Sequence, residues 1–99
     1  MTGKVFLTSD LARAARAFTK VSAATIAEKA GLTREQVKEF ESGRGHLSDD
    51  EKSRMRASLE FYGALFIPED DVAGYGVRRR YAREKLMRLN NWEDEGGYS

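Results

Sequence analysis

The stretch from Ser22 to Gly43, SAATIAEKAGLTREQVKEFESG, constrains this chain more than any other. Ile26, Ala27 and Ala30 recur at helical spacing behind Ser22, a natural N-cap whose hydroxyl can satisfy an orphan amide of the first turn. The pattern stops at Gly31, a residue that accepts the positive φ needed just past a helix end. Leu32 follows, and Thr33 with Gln36 three residues on forms the capping box of a second helix. Val37 and Phe40 supply that helix with an inward face, and Gly43 ends it. Helix, glycine-bearing tight turn, helix with a wet outer face is the sequence form of a helix-turn-helix.

At these residues the chain resembles the phage-repressor/Cro-like helix-turn-helix family, often called XRE. The family pattern is Leu-Ala-x-x-Ala-Gly-(Val/Leu)-(Ser/Thr) followed by Ile-x-x-(Ile/Phe)-Glu-x-Gly. Here Ile26-Ala27-Glu28-Lys29-Ala30-Gly31-Leu32-Thr33 and Val37-Lys38-Glu39-Phe40-Glu41-Ser42-Gly43 stand in those places. Arg13 to Phe18 resembles the family's first helix, and Ala64 to Glu69 with Gly76-Val77-Arg78 resembles the tail of one small bacterial branch, so the likeness spans about Asp10 to Arg80. It implies an all-α, lambda-repressor-like bundle of four to five helices with a small C-terminal β-hairpin, to which the spacing of Leu86, Leu89 and Trp92 adds an extra C-terminal helix that the family's short members lack. It also aligns Arg16 with an arginine that pairs with the glutamate of the Glu-x-Gly ending, here Glu41. Arg16 as a phosphate contact is the other reading. One departure stands out: Ala23 occupies the place where these repressors commonly open the second helix with glutamine.

Ninety-nine residues, 40% hydrophobic and 33% charged, suffice for one modest core. No apolar run approaches the roughly 20 residues of a membrane span, and MTGKVFLTSD has neither the basic start nor the apolar stretch of a signal peptide. With no cysteine and one histidine, disulfides, thiolate metal sites and histidine cages are not expected, and a cytoplasmic setting is; the family resemblance implies a bacterial or phage-encoded, nucleoid-associated protein. The net charge of +1 hides a pattern. Residues 1–47 carry eight basic and five acidic side chains, residues 48–76 three and seven, and residues 77–92 six and one, before acidic Glu93-Asp94-Glu95. Two basic zones flank an acidic one, and basic zones attract phosphate.

Around the central stretch, Lys4–Thr8 is β-prone and reads as a short strand or an ordered arm. Thr8 or Ser9 caps a first helix to about Thr19, with Leu11, Ala14, Ala15 and Phe18 as its apolar stripe. Ser48-Asp49-Asp50-Glu51 is a second capping box, opening a helix to about Tyr62 with Met55, Ser58, Leu59 and Tyr62 inward and Gly63 as its stop. Leu65-Phe66-Ile67 and Val77–Tyr81 read as the strands of a hairpin, and Tyr81–Trp92 as a last amphipathic helix. The expected organisation is an arm at 1–8, a helix-turn-helix domain at 9–63, a hairpin plus helix at 64–92 and a mobile acidic tail at 93–99.

Catalytic signatures are missing: there is no nucleophile elbow, phosphate-cradling glycine loop or metal spacing, so an enzyme is not expected. DNA binding fits better. The second helix of such a motif enters the major groove, and with Val37 and Phe40 inside, its outward set is Arg34, Glu35, Lys38 and Glu39. Arg34 can reach the two acceptors of guanine, Glu35 can accept from cytosine, and Lys38 can serve a guanine or a phosphate. Helix starts and the following loop nominate Ser22, Thr33, Arg44 and His46 for phosphates. Each of these charges is also, taken alone, an ordinary solvated residue. Glu35 and Glu39 oppose DNA phosphates, and only Glu41 has an expected partner.

The resulting expectation is a sequence-specific transcriptional regulator, a repressor binding an inverted-repeat operator in double-stranded DNA as a homodimer through helix 33–42. No cofactor, membrane or small-molecule ligand is called for. Leu65, Ile67, Val77, Leu86, Leu89 and Trp92 are apolar side chains in need of cover, expected at the dimer interface unless hairpin and helix fold back on their own subunit. A protein-interaction module on the same fold, antitoxin-like or a phage accessory protein, is the alternative.

Overall fold

The computed structural model describes residues 7–80, which form four helices and a two-stranded antiparallel hairpin. The Leu86, Leu89 and Trp92 helix, the acidic tail and all of the N-terminal arm except Leu7 and Thr8 lie outside the described residues.

Helix α1 (Ser9–Thr19) is capped by Thr8, whose Oγ1 accepts from the Leu11 amide at 3.3 Å. Its buried stripe is Leu11, Ala12 and Ala15. The expected Ala14 and Phe18 are only half-buried. The stripe is turned because α1 is covered from two sides, by the other helices and by the hairpin. Phe18 faces the hairpin instead, under the Arg79 guanidinium at 5.7 Å.

The central stretch folds as its caps dictate. In α2 (Ala23–Ala30) Ser22 Oγ accepts from Thr25 N, and Gly31 closes the helix at φ +73° with its N–H on the Ala27 and Glu28 carbonyls. Leu32 N–H returns to Ala27 O at 2.9 Å, which satisfies the last carbonyls and reverses the chain in three residues. In α3 (Arg34–Glu41) the capping box is complete: Gln36 N donates to Thr33 Oγ1 at 3.0 Å, and Thr33 N to Gln36 Oε1 at 2.8 Å. Ser48 and Glu51 repeat that geometry at the start of α4 (Asp49–Phe61).

The core is where these faces meet. Ile26, Val37, Leu47, Met55 and Leu59 have almost no exposure, with Leu7, Leu11 and Phe40 around them. Burying an aliphatic side chain of this size contributes roughly 1.5–3 kcal/mol each. α2 packs on both α3 and α4, and one polar tie runs through that contact: Ser58 Oγ donates to Ile26 O at 2.9 Å, entirely buried.

Strands β1 (Ala64–Ile67) and β2 (Gly76–Arg79) pair Ala64 with Arg79, Leu65 with Arg78, Phe66 with Val77 and Ile67 with Gly76. The hairpin lies on α1 and the end of α4. Ala64 is buried, and Phe66 and Val77 pack on the core. A two-stranded hairpin is marginal alone, and the helical body supplies its support here. Val77, expected at a dimer interface, is half-buried and packs against the core of its own chain. Leu65 keeps 40% of its surface exposed, and Ile67 is half-buried.

Candidate nucleic-acid interface

Val37 and Phe40 lock the inner side of α3 into the core, which leaves Arg34, Glu35, Lys38 and Glu39 exposed together on the outer side. Helical periodicity does this unaided, since residues three and four apart share a face.

Three devices hold α3 in place. Glu41 is buried and takes a two-pronged ion pair from Arg16, Nε to Oε2 at 2.7 Å and Nη2 to Oε1 at 3.0 Å. The Arg16 Nη1 reaches Val21 O at 3.3 Å, so one guanidinium ties α1, the chain before α2, and the end of α3. The carboxylate hydrogen-bonded to it raises the guanidinium's pKa above its ordinary value, with partial burial acting the other way. Arg13 of α1 is the second device, donating from Nη1 to the Glu41 backbone carbonyl at 2.6 Å. The third joins the two capping boxes: Gln36 Nε2 approaches Glu51 Oε2 at 3.4 Å, while Glu51 Oε1 accepts from Ser48 N at 2.9 Å. These bonds to Glu51, the Ser48 amide foremost, hold its carboxyl below the ordinary 4.5.

The turn between α2 and α3 has its own support. Arg54 of α4 donates to Ala30 O at 3.0 Å and Gly31 O at 3.2 Å, and is itself steadied by Asp50 at 3.1 Å. Arg13 and Arg54 were not legible as positioning residues, because each looks like a solvated charge until its partner carbonyl is brought in from another helix. The Asp50–Arg54 spacing of four was the one readable hint.

The nominated phosphate contacts fall into two kinds. Ser22 and Thr33 are exposed, but their side-chain oxygens are occupied as helix caps, so their contribution to an anion would come through the free first-turn amides beside them. Arg44 and His46 stand exposed in the loop after α3. That loop turns tightly because the Arg44 and Gly45 amides both donate to Glu39 O, at 3.1 and 2.8 Å. Gly45 is pressed so close that an added Cβ would lie 2.7 Å from Glu39 Cβ.

Glu39 does not face outward alone. Its Oε1 lies 3.5 Å from Arg44 Nε, with both side chains more than half exposed. Such a pair is worth little in stability, within about 1 kcal/mol, but it offsets a charge that would repel DNA. Of the three carboxylates on α3, Glu41 and Glu39 have cationic partners, and Glu35 has none among the described residues.

Between α1 and α3 runs a groove of about 470 Å³ lined by Arg13, Arg16, Ala17, Lys38, Glu39, Glu41, Ser42 and Arg44. A second cleft of about 390 Å³ lies between the hairpin, α1 and α4, walled by Leu11, Phe66, Ile67, Pro68 and Tyr75 beside Arg56 and Glu69. Arg56 is committed there to Glu60 at 3.2 Å and to the Phe66 ring at 4.9 Å. Among the described residues no helix is long and apolar enough to cross a membrane, and no cluster of three or more His, Cys, Asp or Glu could hold a metal ion. No protein-family model matches the chain, and no curated protein matches it either.

Proposed function

We propose that this domain is a sequence-specific DNA-binding transcriptional regulator of the phage-repressor/Cro-like, lambda-repressor-like kind. It acts as a repressor by occupying a promoter. The observation that carries this reading is the α2–turn–α3 unit. Its second helix is anchored at both ends, by the capping box and by the Arg16–Glu41 pair, while Arg34, Glu35, Lys38 and Glu39 stay exposed. A helix held this way can enter a major groove without losing contact with its core. Phosphates would be met by the first-turn amides beside Ser22 and Thr33 and by the Arg44–His46 loop. The active species is a homodimer on an inverted repeat, joined through Leu65 on the outer face of the hairpin together with residues 81–92.

Fluorescence anisotropy with the promoter upstream of the chain's own gene, at several salt concentrations, tests this. Affinity should fall steeply with salt, because each phosphate contact releases counterions. Binding to no duplex at any salt would rule the reading out. In that case the unpaired carboxylate of Glu35 on the α3 surface favours the alternative, a protein-interaction module on the same fold.

A further inference from the structure

Resting on the DNA reading, we propose that the groove between α1 and α3 seats a backbone phosphate of duplex DNA, gripped by Arg13 and Lys38. Four cationic side chains line it against two carboxylates. Both carboxylates are already engaged, Glu41 by Arg16 and Glu39 by Arg44. Arg13 and Lys38 are the cations left over, since neither lies within ion-pair distance of a carboxylate among the described residues. Both are exposed, so an anion can reach them from solvent without any rearrangement of the core.

The end of a helix ordinarily repels a phosphate, because its last carbonyls carry the negative end of the dipole. Arg13 removes that objection at this place. Its Nη1 is bonded to Glu41 O at 2.6 Å, which covers one of the terminal carbonyls and fixes the guanidinium at the groove wall. The rest of the fork remains for a phosphate oxygen, the geometry to which arginine is suited. Lys38 lies on the exposed face of α3, so an anion in the groove sits beside the reading surface, where a strand flanking the major groove passes. Lys38 is thereby assigned to phosphate and not to guanine, and Arg13 joins the interface from α1, whose Arg16 is taken up by Glu41.

The experiment is a salt titration on a random duplex with the full chain and with Arg13→Gln, Lys38→Gln and the double variant. Each single change should lower the slope of log K against log salt by about 0.9, and the double by about 1.8. Because Arg13→Gln also disturbs the contact to Glu41, Arg13→Lys serves as its control and should keep the slope of the unaltered chain. A steep slope that none of the variants alters overturns the groove while leaving the DNA reading standing. Absence of salt-dependent binding by the unaltered chain overturns both. Saturable NMR shifts at the groove on adding inorganic phosphate, with an unchanged DNA slope, would also overturn the proposal, since the anion would then be a free one.

Discussion

Arg16 and Glu41 meet in a two-pronged ion pair whose members are unequally sheltered: the arginine side chain keeps 26% of its exposure and the glutamate 6%. Removing one partner therefore does different damage from removing the other. Arg16→Ala strands a buried carboxylate and should cost about 3 kcal/mol. Glu41→Ala leaves a guanidinium that still reaches water and should cost about 1.5 kcal/mol. The double variant should cost less than the two together, which urea melts of all four proteins will read. Additive losses would mean that the pair does not couple.

Arg34 and Arg44 should separate reading from holding. Arg34→Ala is expected to weaken binding to the specific operator by about 1–3 kcal/mol and to relax preference at one base position. Arg44→Ala should weaken all sequences alike and reduce the salt slope by about 1. It also frees Glu39, so its effect on random DNA should exceed that of an uninvolved surface lysine such as Lys52. Competition binding with operator variants distinguishes the two patterns.

Gly45 has no room for a side chain. A Cβ there meets Glu39 C and Phe40 N at 3.0 Å, atoms of the backbone that cannot swing aside. Gly45→Ala should destabilise the domain by about 1–3 kcal/mol and lower DNA affinity further by displacing Arg44 and His46. A thermal melt beside a binding curve at low temperature resolves the two effects.

Glu51 makes stability depend on pH. Its carboxyl titrates below the ordinary 4.5 in the folded chain, so its contribution is complete above that value and disappears as pH falls through the lower, folded pKa. Glu51→Gln retains an acceptor for the Ser48 amide but has no charge to lose. The variant should therefore be less stable than the unaltered chain near neutrality, and the difference should close in acid. Denaturant midpoints collected from about pH 3 to pH 7 would show this.

The dimer, as proposed, can be tested without dismantling the core. Cutting after Gly63 would remove Ala64, which is fully buried, and strip Phe66 and Val77 from the core they pack against. A chain ending at Arg80 keeps the hairpin, whose closing bond runs from Arg80 N to Gly63 O at 2.7 Å. In sedimentation velocity the full chain should run as a dimer, and both the shortened chain and Leu65→Glu as monomers. A dimer that survives in both would place the interface elsewhere.

Local chemistry alone determined the helices and their ends. Ser22, Thr33 and Ser48 each put a hydroxyl where free amides need an acceptor, Gly31 takes a backbone angle few residues tolerate, and the spacing of Val37 and Phe40 decides which side of α3 stays wet. All of these act within a few residues, so a linear reading reaches them. The Arg16–Glu41 pair came from a family likeness and stands in the structure at 2.7 Å. What only the tertiary structure decided is everything that depends on which surfaces meet. Ala12 displaced Ala14 from the α1 stripe because the hairpin covers that helix from a second side. Val77 turned inward, Glu39 turned to Arg44, and Arg13 and Arg54 found carbonyls on helices distant in sequence. A long charged side chain has many reachable partners along a chain, and only packing selects one of them.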